Sequence, residues 1–561
     1  MTRKAVERIL HNARIITMNP VQPSAQALAI SGGLILRVGA NDEVLALAGP
    51  ETQLVDLQGQ TVTPGFIDGH AHMEREGLKT LRPSLAHART IGDVLDVIRK
   101  EAARRPKGAW IITMPVGQPP YYFGGPSNLA EGRMPNRLEL DAVAPEHPVY
   151  IPGLFGNWGA PPGHSALNSL ALRHNHLDGA SRPCCQGIEL VRAANGELTG
   201  NIIETNKRPM LEFDLLSAVP AFSFDDRLEG LRRSQQIYHA YGTTSVYEGH
   251  GSAPQTLSVY RQLWEDGGLT MRSRLCISPS WTRDDADVFL RDSYAYARGV
   301  GLGDDYLRIG GINLGLGGAP ESAAASRRAL PNTGWAGFVE WHNTIDDYRY
   351  YAEGAARHNL RVHSVVDDRL TEVLDVFEAI DRQYPLAGRR WVVEHIGNVT
   401  AEDILRMRRL GIFITTNPLY TVWKNGAPKV DAPNGGNGFM PLKTLLEAGF
   451  PVSAGSDNIP VNPFYAVWAS VVRQERTTGR VIGPAQRLSR WQALQLITSH
   501  GAWLSYEEGR KGTLEAGKLA DLAVLSADPL TVPDEALHDI HAHLTFVGGQ
   551  LVHGDLGAYL S

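Results

Sequence analysis

The segment Pro64-Gly65-Phe66-Ile67-Asp68-Gly69-His70-Ala71-His72 sets two imidazoles two residues apart, just past an apolar strand. With the period of two that a strand imposes, both rings point the same way. Inside a narrow barrel both then reach one cation, at the roughly 2.0–2.1 Å of a zinc–imidazole bond. Taken alone, the pair reads equally well as two packing or surface histidines. Three later segments supply the context: Leu360-Arg361-Val362-His363, Val392-Val393-Glu394-His395 and Val452-Ser453-Ala454-Gly455-Ser456-Asp457 each end an apolar run on a ligand or acid–base residue. The catalytic face of a parallel barrel lies at such strand ends.

Around these segments, apolar strands alternate with helical stretches, as a parallel sheet or barrel requires. Strands are expected at residues 61–67, 243–247, 307–314, 360–365, 390–394, 412–416 and 452–455, and helices at 371–384, 401–410 and 490–504. The ends of the chain behave differently. Residues 13–18, 27–30 and 34–38 read as short strands joined by turns, and residues 519–525 and 543–552 repeat the habit, with Gly548-Gly549 as a hairpin turn. The expectation is an α/β chain, a TIM-type (β/α)8 barrel with a small sheet split between the termini. The stretch from about 76 to 225 is rich in Pro and Gly and too long for one βα loop, so it reads as an insertion after the first barrel strand that caps the mouth.

Composition narrows the function classes. A chain of 561 residues buries a large core without disulfides, and three cysteines, two of them the adjacent Cys184-Cys185, make no framework. The expected compartment is therefore reducing and cytoplasmic. No apolar run approaches the roughly 18–20 residues of a membrane span. A net charge of -6 offers no basic footprint for nucleic acid or anionic lipid, which leaves a small-molecule substrate as the expected partner.

Residues 63–72, Gly163-His164-Ser165-Ala166-Leu167-Asn168-Ser169, Val362-His363-Ser364-Val365-Val366-Asp367-Asp368, Val393-Glu394-His395, Gly455-Ser456-Asp457 and the closing segment 512–525 occur in this order over nearly the whole chain. In them the sequence resembles the amidohydrolase superfamily, in the amidohydrolase family 3 branch of N-substituted formamide deformylases and YtcJ-like proteins. The resemblance implies a composite β-sandwich beside the barrel, with residues 1–63 and 506–561 as its two parts and 64–505 as the barrel. It also makes Lys518 and Asp521 of the closing segment structural.

In many such relatives a carboxylated lysine at the end of the fourth barrel strand bridges two metals. Asn313 falls at the matching place here, and no lysine occurs between Lys207 and Lys424. One metal is therefore expected, bound by His70, His72, His363 and Asp457 as in mononuclear relatives. His395 would stand beside it or polarise the substrate carbonyl. Glu248 or Glu204 is the alternative, a carboxylate replacing the bridge, although Glu248 also reads as an exposed loop acid. Zinc suits the ligands best; iron, manganese and cobalt also fit.

A divalent metal brings the pKa of its bound water from 15.7 towards about 7, and Asp457 is the expected base that passes the proton to a leaving nitrogen. The implied reaction is hydrolysis of an amide-like C–N bond. Deamination, decarboxylation, isomerisation and a non-catalytic subunit of the fold are the competing readings. His164 and Trp158 are expected to line the substrate pocket, or else to pack within the insertion. Trp281, Tyr420 and Trp423 are candidates for an aromatic wall. The run Gly315-Leu316-Gly317-Gly318-Ala319 lacks the ending of a phosphate loop and reads as a tight turn near the mouth. A homodimer is the expected assembly if the chain follows the family.

Overall fold

In the computed structural model of the chain, residues 5–154, 161–183, 186–205, 211–279, 283–317, 343–457 and 460–560 are described. Eight parallel strands follow one another in chain order: β1 (Phe66–Asp68), β2 (Thr243–Ser252), β3 (Arg272–Ile277), β4 (Leu307–Gly315), β5 (Val362–Val365), β6 (Val392–Glu394), β7 (Phe413–Thr416) and β8 (Val452–Ala454). The sheet nearly closes on itself. Gly69 N–H donates to the Ala454 carbonyl at 3.0 Å and Asp457 N–H to that of His70 at 2.8 Å, which brings the last strand against the first. Gly455 is a glycine because a Cβ there would fall 2.3 Å from His70 N.

The apolar runs that signalled strands are the ones whose side chains are almost wholly buried, as a barrel packed on both faces demands. β3 escaped the sequence reading, and its composition explains why. In Arg-Ser-Arg-Leu-Cys-Ile, Arg272 and Arg274 break the apolar pattern, yet both are buried. Arg272 grips Asp521 through Nε–Oδ2 at 2.7 Å and Nη2–Oδ1 at 2.9 Å, and Arg274 pairs with Glu507. Asp521 is thus structural, and so is Lys518, whose Nζ lies 3.0 Å from Glu515.

Helices pack outside the strands. Ala401–Leu410 forms as expected, with a capping box between Thr400 and Asp403 at its start and Gly411 in the left-handed conformation at its end. The expected helix at 490–504 is two pieces, Arg490–Leu496 and Ser499–Leu504, interrupted at Thr498, whose backbone (φ −132, ψ −95) is not helical.

Two smaller sheets come from the ends of the chain. One orders Leu34–Gly39, Ala27–Ser31, Arg8–His11 and Gln53–Asp56; the other orders Gln550–His553, Ala542–Val547, Leu522–Leu525, Thr61–Pro64, Arg14–Ile16 and Ser24–Ala25. A common core joins them, including Leu10, Leu28 and Ile30 from the first and Val62, Leu522 and Phe546 from the second. Gly548 and Gly549 both have positive φ, as a two-residue hairpin turn requires.

Between β1 and β2 the insertion carries its own five-stranded sheet, ordered Ile188–Arg192, Leu198–Glu204, Gly163–Leu167, Val149–Ile151 and Ile111–Ile112. Before it, the short helix α1 (Met73–Leu78) leaves His72 directly and is buried along its whole length, including its charges. Glu74 of α1 pairs with Arg227, and Gly77 N–H donates to Ser234 Oγ at 2.7 Å, so the chain after the His-x-His pair is fixed in place. Among the described residues no helix is long and apolar enough to cross a membrane.

Candidate metal centre

The C-terminal ends of β1, β2, β6 and β8 converge on one cluster. His70 and His72 follow β1, His250 lies near the end of β2, His395 follows β6 and Asp457 lies just beyond β8. His72 Nε2 stands 3.1 Å from Asp457 Oδ1, and His70 Nε2 is 3.7 Å from the same oxygen and 3.2 Å from His395 Nε2. The His250 ring is centred 5.7 Å from His70, 5.3 Å from His72 and 6.2 Å from His395. Two overlapping sets result, His70/His72/Asp457 and His70/His250/His395, each offering ligand atoms within 4.8 Å of one another. They share His70.

The backbone is strained where it serves this cluster. His395 (φ 59) and Asp457 (φ 50) are both left-handed without being glycine, a cost that is retained where a side chain must be aimed. Asp68 braces the two strand ends: it accepts from His70 N–H at 3.1 Å and Ser456 N–H at 3.0 Å.

The electrostatics suit a cation. Burial holds the His72 imidazole down at about 3 and, with its histidine neighbours, drives His250 well below its usual value, so both are neutral as ligands must be. Burial would also lower His70, but the Glu394 carboxylate overrides it and lifts the ring to about 9. Desolvation works against the Asp457 charge, yet the hydrogen bond from His72 and the nearby His395 and His70 keep it below the usual carboxylate range. In effect a proton sits on His70 where a metal would place its charge. His70 Nδ1 is buried without a hydrogen bond. Four imidazoles and a carboxylate in this arrangement fit a borderline-soft divalent ion.

Not every expected residue joins them. His363 is in neither set: its Nδ1 donates to Glu394 Oε1 at 2.8 Å and its ring stacks on Tyr247 at 4.8 Å. Its other nitrogen, Nε2, is buried without a hydrogen-bond partner. Glu248 is turned away as well, accepting from Met73 N–H at 2.7 Å and the Tyr260 hydroxyl at 2.8 Å, and burial raises it to about 8, so it is neutral near pH 7. Glu204 belongs to the insertion's sheet, 3.4 Å from Ser165 Oγ, and is likewise raised to about 8 by burial, with Glu212 adding to the shift. Neither glutamate replaces the bridging lysine. Asn313 is a strand tie, its Nδ2 donating to the Gly249 carbonyl at 3.1 Å.

His164 lies half-buried on the insertion strand Gly163–Leu167, opposite Ile203. Trp158 and Trp281 lie outside the described residues, as do Gly318 and Ala319. Tyr420 is 6.0 Å from the His395 ring, and Trp423 meets Tyr121 of the insertion at 5.1 Å. Tyr121 in turn stacks on Phe123 at 4.9 Å.

The sequence reading passed over His250, Arg75 and Asn417. His250 ends Glu248-Gly249-His250, where the acid drew the attention and the imidazole joins the cluster. Arg75, fully buried on α1, adds a positive charge that further lowers His72. Asn417, just past β7, holds Nδ2 3.4 Å from His395 Nε2 and buries an Oδ1 that has no hydrogen-bond partner.

A model of the amidohydrolase family matches residues 53–553, which take in every residue of the cluster. An N-substituted formamide deformylase of Arthrobacter pascens is 26% identical over 98% of this chain and 98% of its own length. Among solved structures, an uncharacterized metal-dependent hydrolase from Pyrococcus furiosus superposes with a TM-score of 0.67 at 21% identity, over 93% of this chain and all of its own. One from Pyrococcus horikoshii gives 0.65 at 21%, over 94% and 99%. At these identities the two structures speak to the fold alone. The family match over most of the chain speaks to descent, and it agrees with the motifs read from the sequence: the chain belongs to the amidohydrolase family.

Proposed function

We propose that the protein is a metal-dependent hydrolase that cleaves an amide-like C–N bond in a small N-acyl or N-formyl amine, using one divalent cation, zinc in the first instance. The reading rests on the two ligand sets that share His70. Because the two sets share His70, the reading places a single ion there, with His70, His72 and Asp457 as its core and His250 as a further donor. The deformylase relative supports the bond type. On the same reading the two terminal sheets are a composite sandwich, the barrel is the catalytic domain and the insertion is its cap.

When bound, the metal supplies Lewis acidity and a water acidic enough to ionise near neutral pH. The chain's own residues then divide the work. Asp457, ionised because His72 and its neighbours stabilise the charge, accepts the proton of the attacking water and returns it to the leaving nitrogen. His395, the more open of the imidazoles, faces the substrate carbonyl, and Asn417 beside it offers its unsatisfied amide oxygen to the substrate. Tyr420 packs beside His395 and Trp423 meets Tyr121 of the insertion, an aromatic surface suited to shielding the approach from water.

The test is elemental analysis of the purified protein joined to a hydrolysis screen of N-formyl and N-acyl amines. About one metal per chain, lost in His72→Ala together with the hydrolysis, is expected. A protein that carries no stoichiometric metal and hydrolyses none of them overturns the reading.

A further inference from the structure

The buried carboxylate of Glu394 has no part in the reaction just described, yet it lies between two histidines of different fate. Its Oε1 accepts from His363 Nδ1 at 2.8 Å, and its Oε2 stands 3.2 Å from His70 Nδ1, off the line of an ideal hydrogen bond but within ion-pair reach. All three side chains are wholly shut from solvent. His70 turns its other nitrogen, Nε2, towards Asp457 and His395.

The surroundings fix this carboxylate from every side. His363 is clamped against Tyr247, whose hydroxyl accepts from Arg361 at 3.1 Å. Asn313 ties the Gly249 carbonyl to the strand that carries His363. Gly249 leaves the room that the acid needs, for a Cβ there would lie 2.3 Å from Glu394 Oε1 and 3.4 Å from His363 Nδ1. A glycine between Glu248 and His250 is thus explained by a side chain from another strand.

We infer that Glu394 is the positioning residue of the metal centre: anchored by His363, it holds the Nδ1 edge of His70 and so presents the Nε2 lone pair to the cation. The inference rests on the metallohydrolase reading above and adds to it the group that orients its shared ligand. A carboxylate behind an imidazole sets its tautomer and ring angle and raises its basicity, and loss of such a partner typically costs about 10–100-fold in metal affinity. His363 anchors this carboxylate through Nδ1, while its own Nε2 is buried without a hydrogen-bond partner.

The experiment is zinc titration of metal-stripped protein against a chromophoric chelator, for the wild type, Glu394→Gln and Gly249→Ala. Gln cannot accept from both imidazoles, and the alanine methyl displaces an intact carboxylate, so both variants should bind zinc about 10–100-fold more weakly. Imidazole nitrogen NMR of the zinc-loaded proteins should show the proton kept on His70 Nδ1 in the wild type and lost or exchanging faster in Glu394→Gln. Should either variant fail to fold, judged by its metal-free melting curve, the other carries the test. Wild-type zinc affinity in a folded variant, with the His70 tautomer unchanged, overturns the inference while leaving the metallohydrolase intact. A wild type that binds no zinc overturns both.

Discussion

The two ends of the barrel bury charge under opposite rules. At the N-terminal end Arg272 is matched by Asp521, and Glu507 takes both Arg274 and Lys511, whose Nζ also reaches Ser245 Oγ at 2.9 Å. At the C-terminal end, four imidazoles and Asp457 crowd together, His70 Nδ1 faces Glu394 Oε2 at 3.2 Å, and Asn417 Oδ1 has no hydrogen bond. A buried polar atom left unsatisfied costs about 1–3 kcal/mol. The ion pairs of the floor avoid that cost, while the mouth retains it at Asn417, an arrangement suited to something that arrives from solution.

The contrast breaks most sharply by mutation at the mouth. Asp457→Asn is expected to lower hydrolysis by about 10²–10⁴-fold, the usual yield of a positioned acid–base group, while the melting temperature of the metal-free protein hardly moves. Steady-state kinetics and calorimetry on the same sample measure both. At the floor the outcome should reverse: Arg272→Ala strands a buried Asp521 and is expected to cost about 3–5 kcal/mol of stability, read by chemical denaturation, with kcat near wild type in the fraction that remains folded.

Metal removal sharpens the comparison further. A ligand present at 100 times its Kd stabilises the native state by about 2.7 kcal/mol, so chelation should lower the melting temperature of the wild type and leave that of a folded His72→Ala variant where it was. Equal shifts in both would mean that the chelator acts elsewhere.

The finest test uses two buried glutamates of opposite sign. Glu204 is raised to about 8, by burial first and then by Glu212, so from its unfolded value of about 4.3 up to about 8 the native state holds a proton that the unfolded chain has lost. Stability contributed there falls as pH rises through that window, and Glu204→Gln should remove the slope. Burial also works against the Glu507 charge, but Lys511 and Arg274 prevail and hold it below the usual range. Its contribution is complete above about pH 4.3 and fades as pH falls through the lower folded value; Glu507→Gln should flatten only that acid limb. Melting curves across the pH range separate the two.

The barrel was legible because most of its strands are apolar runs that end on a chemically marked residue, and His70, His72, His395 and Asp457 were found that way. Their convergence is visible only in three dimensions. His363 is the second residue of β5 rather than just past its end, and the turn of its ring is set by its neighbours Glu394 and Tyr247. β3 was hidden by arginines whose partners lie more than two hundred residues away, at Asp521 and Glu507. His250 was hidden by a glutamate two residues before it, since period two predicts one destination for both, and the register of β2 against β3 shifts between Glu248 and Ser252.

The pairing of Thr61–Pro64 with Leu522–Leu525 also sets a clock for biosynthesis. Only Gly65 separates the first of these strands from β1, and β1 leads straight into His70 and His72. At 5–20 residues per second, a ribosome needs about 20–90 s after making the one strand to deliver the other. Throughout that interval the root of the His-x-His segment lacks its permanent neighbour. The nascent chain therefore completes its metal cradle late, when the polypeptide that must enclose it has already been made.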